Sequence, residues 1–290
     1  MNRRDFLKAA SAMTTGGLMV TTPACRWFDE TPVTGTPIWT GISAAQPDSL
    51  TGLTLWLKAD AITGVASGGK LTSWNDNSGL GNHMSEALNP PNYFTNIING
   101  LPVVRFNPAS TQRLGRSILG SDVFSTNETD IFIVQKQNAA TVATVTLCWY
   151  GPPLAYGNNT VLVHLSHTDS LHFYYGANIN SLIGAQPTGW DNTFHIVTLT
   201  HKSVGTTDPS SNRSQIAING LLSYLNLVPG QALDTTQTGP LYIGFQDHGA
   251  GVNYFDGDIA EIIIYNRKLT DTERRGVELY LSDKYAITLV

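Results

Sequence analysis

The sequence predicts an all-β protein, an antiparallel two-sheet sandwich with one short C-terminal helix. Two observations favour this fold class. Many short segments alternate or are rich in β-branched residues as strands are, whereas one segment alone has a convincing helical pattern. The chain of 290 residues is 41% hydrophobic but only 13% charged, with 27 glycines, which is typical of short strands joined by many turns.

The first strand is predicted where leucine alternates with other residues, at Leu53, Leu55 and Leu57. A short strand over residues 71–74 then runs into a loop of turn formers, NDNSGLGN. A glycine-marked turn at residues 99–100 leads into another strand, and Asn219-Gly220 predicts a two-residue β-hairpin. Further strands are predicted over residues 130–136, 144–150, 160–166, 171–175, 194–201, 214–218 and 241–245.

The last strand is predicted in FDGDIAEIIIY, where alternation places Ile262 and Ile264 on one face and Ile259 and Glu261 on the other. Sequence position and apolar content both indicate a strand whose two faces are covered.

A helix is predicted to begin near Asp271. Thr270 and Glu273 have the spacing of a capping box, in which each side chain binds a backbone N–H at the helix N-terminus. Val277, Tyr280, Leu281 and Lys284 then fall at helical spacing. The helix therefore has one narrow apolar stripe, which is predicted to lie against the sheet edge.

Three segments together resemble the concanavalin A-like lectin/glucanase superfamily, in its laminin G-like branch. They are LTLWLKADAITG with SWNDNSGLGNH, then NGLPVVRFN, then GDIAEIIIYNRKLTDTERRGVELYLSDKY, and they occur in that family's order. The resemblance implies that residues 49–290 form a concanavalin A-like jelly roll of two curved sheets. It also implies a tendency to bind glycans or surface proteins, since this fold carries lectins, hydrolases and adhesive modules.

The N-terminus predicts export. Residues 2–8, NRRDFLK, resemble a twin-arginine signal through Arg3, Arg4, Phe6 and Leu7, and a modestly apolar run follows. Residues 1–25 are therefore predicted to be a signal peptide, and the Pro- and Thr-rich residues 26–48 a linker. The expected location is the periplasm, the cell surface or the extracellular space.

Cys25 lies at the predicted processing boundary and is a candidate for lipidation, although Thr22 stands where a lipoprotein signal prefers leucine. A lipid anchor is the one membrane attachment the sequence predicts. If Cys25 is lipidated or removed, Cys148 has no disulfide partner, so we expect a fold without a disulfide.

The net charge disfavours nucleic acid and anionic membranes as partners. It is −5 for the whole chain, from 17 basic and 22 acidic residues. Removing the predicted signal peptide takes away three basic and one acidic residue and leaves −7.

A structural calcium ion is the one cofactor that the sequence suggests, with Asp76, Asn77, Asn82 and Asp258 as candidate ligands. Calcium prefers six to eight oxygen ligands, which a bent loop of Asp and Asn side chains can supply. The alternative is an Asx turn in which the Asp76 carboxylate binds its own loop.

Four aromatic or imidazole side chains are candidates for stacking on sugar rings: His172, Tyr174, Trp190 and Trp149. Rings with polar tips suit this task, although core packing is the competing interpretation for each of them.

The carboxylates Asp256, Asp258 and Glu261 have a spacing similar to that of the paired acids of laminarinase-like glycosidases in this superfamily. Alternation, however, places Glu261 opposite Asp256 and Asp258 unless a β-bulge intervenes. The prediction is a non-catalytic module that binds a carbohydrate or glycosylated surface. A structural or adhesive surface protein is the first alternative, and a glycoside hydrolase is the second.

Overall fold

Short antiparallel strands make up most of the chain that the structure describes. The computed structural model describes residues 41–138, 144–149, 160–167, 170–176, 182–202, 213–226, 239–247 and 251–290. Residues 39–290 form one unit. The predicted signal residues Arg3, Arg4, Phe6 and Leu7, the predicted linker and Cys25 lie outside the described residues.

The first sheet has eight strands, with β18 (Gly257–Tyr265) at its centre. Along the sheet the strands are β14 (Leu221–Asn226), β13 (Arg213–Ile218), β12 (Phe194–Lys202), β7 (Glu128–Gln137), β18 (Gly257–Tyr265), β5 (Leu101–Phe106) and β4 (Asn92–Ile98). The remaining strand, β1 (Leu53–Lys58), pairs with the second half of β18.

The second sheet also has eight strands, which run in the order β11 (Leu182–Ala185), β10 (Ser170–Gly176), β9 (Thr160–His167), β8 (Leu147–Trp149), β15 (Pro240–Ile243), β6 (Leu114–Leu119), β3 (Met84–Ser85) and β2 (Ser73–Trp74). A two-stranded ribbon of β16 (Phe245–Asp247) and β17 (Val252–Tyr254) follows β15. The predicted fold class, an all-β two-sheet jelly-roll sandwich with one C-terminal helix, is confirmed.

Local signals place the turns where the sequence predicts them. Asn219 and Gly220 have φ of 49° and 77° and join β13 to β14, and Asn99 and Gly100 join β4 to β5 with φ of 47° and 76°. Single-turn 3-10 helices occupy Pro47–Ser49, Ala59–Ala61, Pro108–Ser110 and Gly120–Asp122.

The helix α1 (Asp271–Tyr285) begins at the predicted capping box. The Thr270 hydroxyl accepts the backbone N–H of Glu273 at 3.2 Å, and the Glu273 carboxylate accepts that of Thr270 at 2.8 Å. Arg267 binds the same carboxylate and is the main reason that the pKa of Glu273 falls to about 2.

Buried apolar side chains of the described residues form two large layers and a small third cluster of Val145, Cys148 and Leu162. The larger lies between the sheets and contains six of the large buried rings, Trp74, Trp149, Phe106, Phe124, Phe173 and Phe255. The smaller lies on the outer face of the first sheet and includes Phe132, Val134, Ile196 and Ile263 beneath α1. The prediction that α1 lies against a sheet edge is therefore wrong, because the helix covers the face of the central strands. No helix in the described ranges is long and apolar enough to cross a membrane.

A β-bulge in β18 changes the predicted alternation. The pairing with β7 shifts register between Ile259 and Glu261. Ile259 consequently faces the inter-sheet core with Ile262 and Ile264, whereas Ala260 and Ile263 pack under α1. The prediction that Ile259 shares a face with Glu261 is wrong for this reason.

Candidate functional site

The outer face of the second sheet carries one continuous row of cross-strand neighbours. Tyr242 on β15 lies opposite Cys148 on one side and Gly115 on the other. The row extends from Cys148 to Leu162 and from Gly115 to Ser85. The strand neighbours of these residues point into the inter-sheet core, among them Met84, Leu114, Leu147, Val161, Val163, Leu241 and Ile243. Alternation therefore places the row on the outer face of the sheet, where Cys148 and Leu162 are buried together with Val145.

Tyr242 packs against Gly115. A Cβ atom at Gly115 would come within 2.9 Å of the Tyr242 Cε1 atom, so any larger residue would push the ring away. The ring is half-buried, and burial raises the pKa of its hydroxyl, with the nearby Glu86 carboxylate adding to the rise. Tyr242 is thus a neutral ring with a fixed orientation.

Gly244 turns the following aromatic residue to the same face. Its φ of 77° breaks the alternation between β15 and β16, and its missing side chain points at the core ring of Phe106, where a Cβ atom would lie 2.5 Å from Cδ1. Phe245 therefore lies on the outer face of the second sheet, where it is 7% exposed and meets Tyr242 at 5.0 Å between ring centroids, edge to face. Tyr254 on β17 adds a third ring, 5.3 Å from Phe245.

An ion pair borders these rings. The Arg113 guanidinium lies 4.8 Å from the Phe245 ring centroid and donates from Nε to the Glu86 carboxylate at 2.8 Å. Burial alone would raise the pKa of Glu86, but Arg113 and the Leu88 backbone N–H outweigh it and lower that pKa. Glu86 is therefore a charged acceptor, and Arg113 keeps part of its surface exposed, at 27% of its side chain.

We call these five residues, Tyr242, Phe245, Tyr254, Arg113 and Glu86, the aromatic platform. Ring faces can pack on the C–H face of a sugar, while a guanidinium and a carboxylate can bind its hydroxyl groups. Sequence interpretation missed all five. Alternation within LYIGF could have identified Tyr242, because its two neighbours in the strand, Leu241 and Ile243, are apolar and so predict that Tyr242 lies on the opposite face.

Two of the predicted sugar-stacking residues lie on β10, in the same sheet. His172 is 7% exposed, and its Nε2 atom lies 2.8 Å from the Ser170 hydroxyl oxygen. The backbone of Tyr174 pairs with Leu162, at one end of the outer-face row, and its side chain lies outside the described part of the structure.

The structure assigns the two predicted tryptophans to the core instead of a ligand surface. Trp149 is fully buried, stacks on Phe124 at 5.8 Å and donates from Nε1 to the Gly239 carbonyl at 3.0 Å. Trp190 is 3% exposed and stacks on His195 at 4.7 Å. Neither indole can reach a sugar ring without displacing core neighbours.

The predicted calcium loop is an Asx turn. Both Asp76 carboxylate oxygens are occupied by protein donors, namely the backbone N–H groups of Trp56, Ser78 and Asn82 at 2.9 Å each and the Ser78 hydroxyl at 2.6 Å. Asn77 donates its side-chain amide to the Trp56 carbonyl at 3.2 Å, and Asn82 donates its own to the Thr54 carbonyl at 2.6 Å. These bonds hold the loop against β1.

Asp258, the fourth candidate calcium ligand, is bound by cations of the protein. Arg105 donates to its two oxygens at 2.6 and 2.9 Å, and the Lys136 ammonium lies 2.8 Å from it. The carboxylate is buried. Among the described residues no group of three or more His, Cys, Asp or Glu side chains could hold a metal ion.

The bulge brings Glu261 to the same face of β18 as Asp258, contrary to strict alternation. Its carboxylate is 1% exposed and accepts four hydrogen bonds. The donors are Trp56 Nε1 at 2.6 Å, Tyr280 at 3.0 Å, Tyr285 at 2.8 Å and Lys284 at 2.8 Å. Glu261 thereby joins α1 to the sheet.

Comparison with known families agrees with the fold. Residues 130–273 match the family model for the concanavalin A-like lectin/glucanases superfamily. The matched segment runs from β7 into the first turn of α1 and contains Tyr242, Phe245 and Tyr254. A search of curated protein sequences gave no match.

Solved structures similar to this chain include parts of carbohydrate-active proteins. The sialidase of Trypanosoma rangeli is 15% identical with a TM-score of 0.48, over 81% of this chain and 33% of its own. Domain 4 of an extracellular arabinanase from Geobacillus stearothermophilus, in complex with arabinotriose, is 14% identical with a TM-score of 0.43, over 79% of this chain and 98% of that domain. The chain thus spans about a third of the length of the sialidase.

Proposed function

From the match to a superfamily of lectins and glucanases, we propose that this protein binds a carbohydrate or a glycosylated surface and is not catalytic. The observation that carries the proposal is the aromatic platform. Phe245 contacts both Tyr242 and Tyr254, and the three rings lie beside a charged donor and a charged acceptor, with Gly115 and Gly244 fixing the positions of Tyr242 and Phe245.

The platform supports binding through two complementary surfaces. The half-exposed rings of Tyr242 and Tyr254 offer apolar area to the C–H groups of a pyranose or furanose ring. Arg113 and Glu86 offer charged hydrogen-bonding groups to its hydroxyls, and their ion pair orients both before a ligand arrives.

The carboxylates of β18 support the non-catalytic part of the proposal. Glycoside hydrolysis needs one carboxyl group that gives up a proton and another that approaches the anomeric carbon. Asp258 is bound by two cations, and Glu261 accepts from four donors while buried under α1. Neither offers an oxygen to a substrate.

The predicted signal peptide supports a role outside the cytoplasm. We place the protein in the periplasm, at the cell surface or in the extracellular medium, with a glycan or a surface protein as its partner. A lipid on Cys25 is part of this proposal and would tether the module to a membrane.

A glycan array followed by titration calorimetry tests the platform directly. Tyr242→Ala and Gly115→Ala should each weaken binding of the best glycan at least about tenfold, since each removes or tilts the central ring. Phe94→Ala is the matched control. Phe94 is also a half-buried ring beside an arginine, with the Arg105 guanidinium carbon 4.6 Å from its ring centroid, but it belongs to the first sheet. Its affinity should equal that of the wild type.

Absence of binding to every glycan, with and without calcium, would reject the lectin function and favour a structural or adhesive surface protein. Polysaccharide hydrolysis that Glu261→Gln abolishes without unfolding the protein would reject the non-catalytic proposal.

A further inference from the structure

A row of polar and charged side chains crosses one end of the first sheet, on the sheet that does not carry the aromatic platform. Cross-strand pairing runs from Asn92 on β4 through Arg105 on β5, Asp258 on β18 and Lys136 on β7 to Phe194 on β12. Residues directly opposite one another share a face of the sheet. Phe194 packs against the apolar layer under α1, which places the row on the outer face.

Asp258 lies beneath two cations and is bound by both. The Arg105 guanidinium donates from Nε and Nη2 to its two oxygens at 2.6 and 2.9 Å, and the Lys136 ammonium lies 2.8 Å from Oδ2. The Asp258 side chain is 1% exposed, whereas 37% of the Arg105 side chain and 20% of the Lys136 side chain reach solvent. The carboxylate is therefore the buried base of this cluster, and the cations form its surface.

The cluster carries more positive than negative charge. Arg105 and Lys136 share the single carboxylate of Asp258, so one positive charge is left over. Lys70 adds a cation at the Asn92 end of the row, where its ammonium donates to the Asn92 side-chain oxygen at 3.1 Å. The whole chain has a net charge of −5, so this surplus is a local feature that attracts anions to one end of the sheet.

Both cations keep N–H donors for a further acceptor. Arg105 uses Nε and Nη2 for Asp258, and none of the described residues accepts from its Nη1 group. A lysine ammonium has three donors, and within the described ranges Asp258 is the one ionic partner of Lys136. Because Nη2 of Arg105 and Nζ of Lys136 both lie within 2.9 Å of the same oxygen, one small anion can contact both groups at once.

Aromatic rings hold the two cations in place. The Arg105 guanidinium carbon lies 4.6 Å from the ring centroid of Phe94, and the Lys136 Nζ atom lies 5.4 Å from that of Phe194. Each cation is thus restrained by a carboxylate and by a ring before an anion arrives. Such restraint lowers the entropic cost of binding.

We propose that Arg105 and Lys136 bind an oxyanion, a carboxylate or sulfate group, on the outer face of the first sheet. The anion accepts N–H groups from both side chains, and Asp258 beneath them fixes their spacing. The planar fork of donors on a guanidinium matches the oxygens of such an anion. This site does not depend on the aromatic platform, which lies on the second sheet.

Titration of the ¹⁵N-labelled full chain with sodium sulfate at constant ionic strength tests the proposal. The Arg105 Nε–H resonance, identified by its loss in Arg105→Lys, should shift as the guanidinium gains an acceptor. D-Glucose, which has no anionic group, should leave it in place. Acetate and D-glucuronate separate a free anion from a sugar that carries one: glucuronate binding at least about tenfold tighter would assign the sugar, and equal affinities would assign the free anion.

Lys136→Gln should raise the dissociation constant for sulfate about tenfold or more. This variant keeps the Arg105–Asp258 ion pair, so the buried carboxylate stays satisfied. Lys202→Gln is the matched control, because Lys202 lies on the same sheet but pairs with a carboxylate of its own, Glu128, at 3.7 Å. Its sulfate affinity should equal that of the wild type. Should Arg105→Lys fail to fold, calorimetry of these two lysine variants still decides.

An unmoved Arg105 Nε–H resonance at the end of the sulfate titration would overturn the proposal, and so would equal sulfate affinities of Lys136→Gln and the wild type. Tyr242→Ala should leave sulfate binding unchanged, and Lys136→Gln should leave glycan binding on the aromatic platform unchanged. Failure of the platform and failure of this oxyanion site are therefore distinguishable in the same protein.

Discussion

Replacing Glu261 by glutamine should weaken the attachment of α1 to the first sheet without changing the fold. The carboxylate accepts from Trp56, Tyr280, Tyr285 and Lys284 in a buried environment. An amide keeps one oxygen but turns its NH₂ group toward donors, which leaves buried N–H or O–H groups without an acceptor.

The expected loss of unfolding free energy is about 3 kcal/mol. Removing one partner from a buried ion pair costs about 3–5 kcal/mol. The lower end applies because the Lys284 ammonium keeps Asp60 at 2.9 Å and the tyrosine rings nearby. For a domain of this size the loss corresponds to a melting temperature lower by roughly 6–12 °C.

Thermal and urea unfolding of Glu261→Gln measure this loss, with Asp283→Asn as the control. Asp283 is an exposed carboxylate on the same helix, so its variant should stay within about 0.5 kcal/mol of the wild type. The double variant Glu261→Gln with Lys284→Met should be more stable than the sum of the single effects.

A melting temperature of Glu261→Gln within 2 °C of the wild type would contradict this reasoning. Strict additivity in the double variant would mean that Glu261 and Lys284 do not stabilise one another. In either case the buried carboxylate would have a role other than joining the helix to the sheet.

Three further predictions concern Asp130, Gly244 and Asp76. Burial raises the pKa of Asp130 from 3.8 to about 7, although hydrogen bonds from Thr200 and the Leu269 N–H act to lower it. The folded state therefore binds this proton more tightly than the unfolded state does. The free energy of unfolding should consequently fall as the pH rises from 4 to 7. Asp130→Asn should remove most of that fall in urea unfolding at pH 5 and pH 8, and parallel pH profiles would contradict it. Gly244→Ala should cost about 2–4 kcal/mol, since φ is 77° and the Cβ atom would lie 2.5 Å from Phe106; a wild-type melting temperature would contradict this. EDTA should leave the melting temperature unchanged, because N–H and O–H groups of the protein already donate to both oxygens of the Asp76 carboxylate. A clear decrease in melting temperature would support the structural calcium ion instead.

The sequence by itself determined the local structure of this protein. Asn219-Gly220 adopts the predicted hairpin because both positions need a positive φ, and Thr270 with Glu273 caps α1 because each satisfies a backbone N–H within its own turn. Such interactions depend on residues only a few positions apart, so spacing alone predicts them. Strand alternation likewise predicted most of the strands, and with them the all-β class.

Only the tertiary structure decided which side chains lie in the core and which lie on an outer face. The bulge at Ala260 puts Glu261 beneath α1, on the same face of β18 as Asp258. Gly244 turns Phe245 to the outer face of the second sheet. Each of these changes breaks the strict alternation of faces that the sequence predicts. Trp149 stacks in the core, whereas Tyr242 lies on the surface, because the second sheet meets the first on one face only. Burial depends on neighbours far away in the chain, and a single register shift changes it, which is why the platform could not be located from residue types alone.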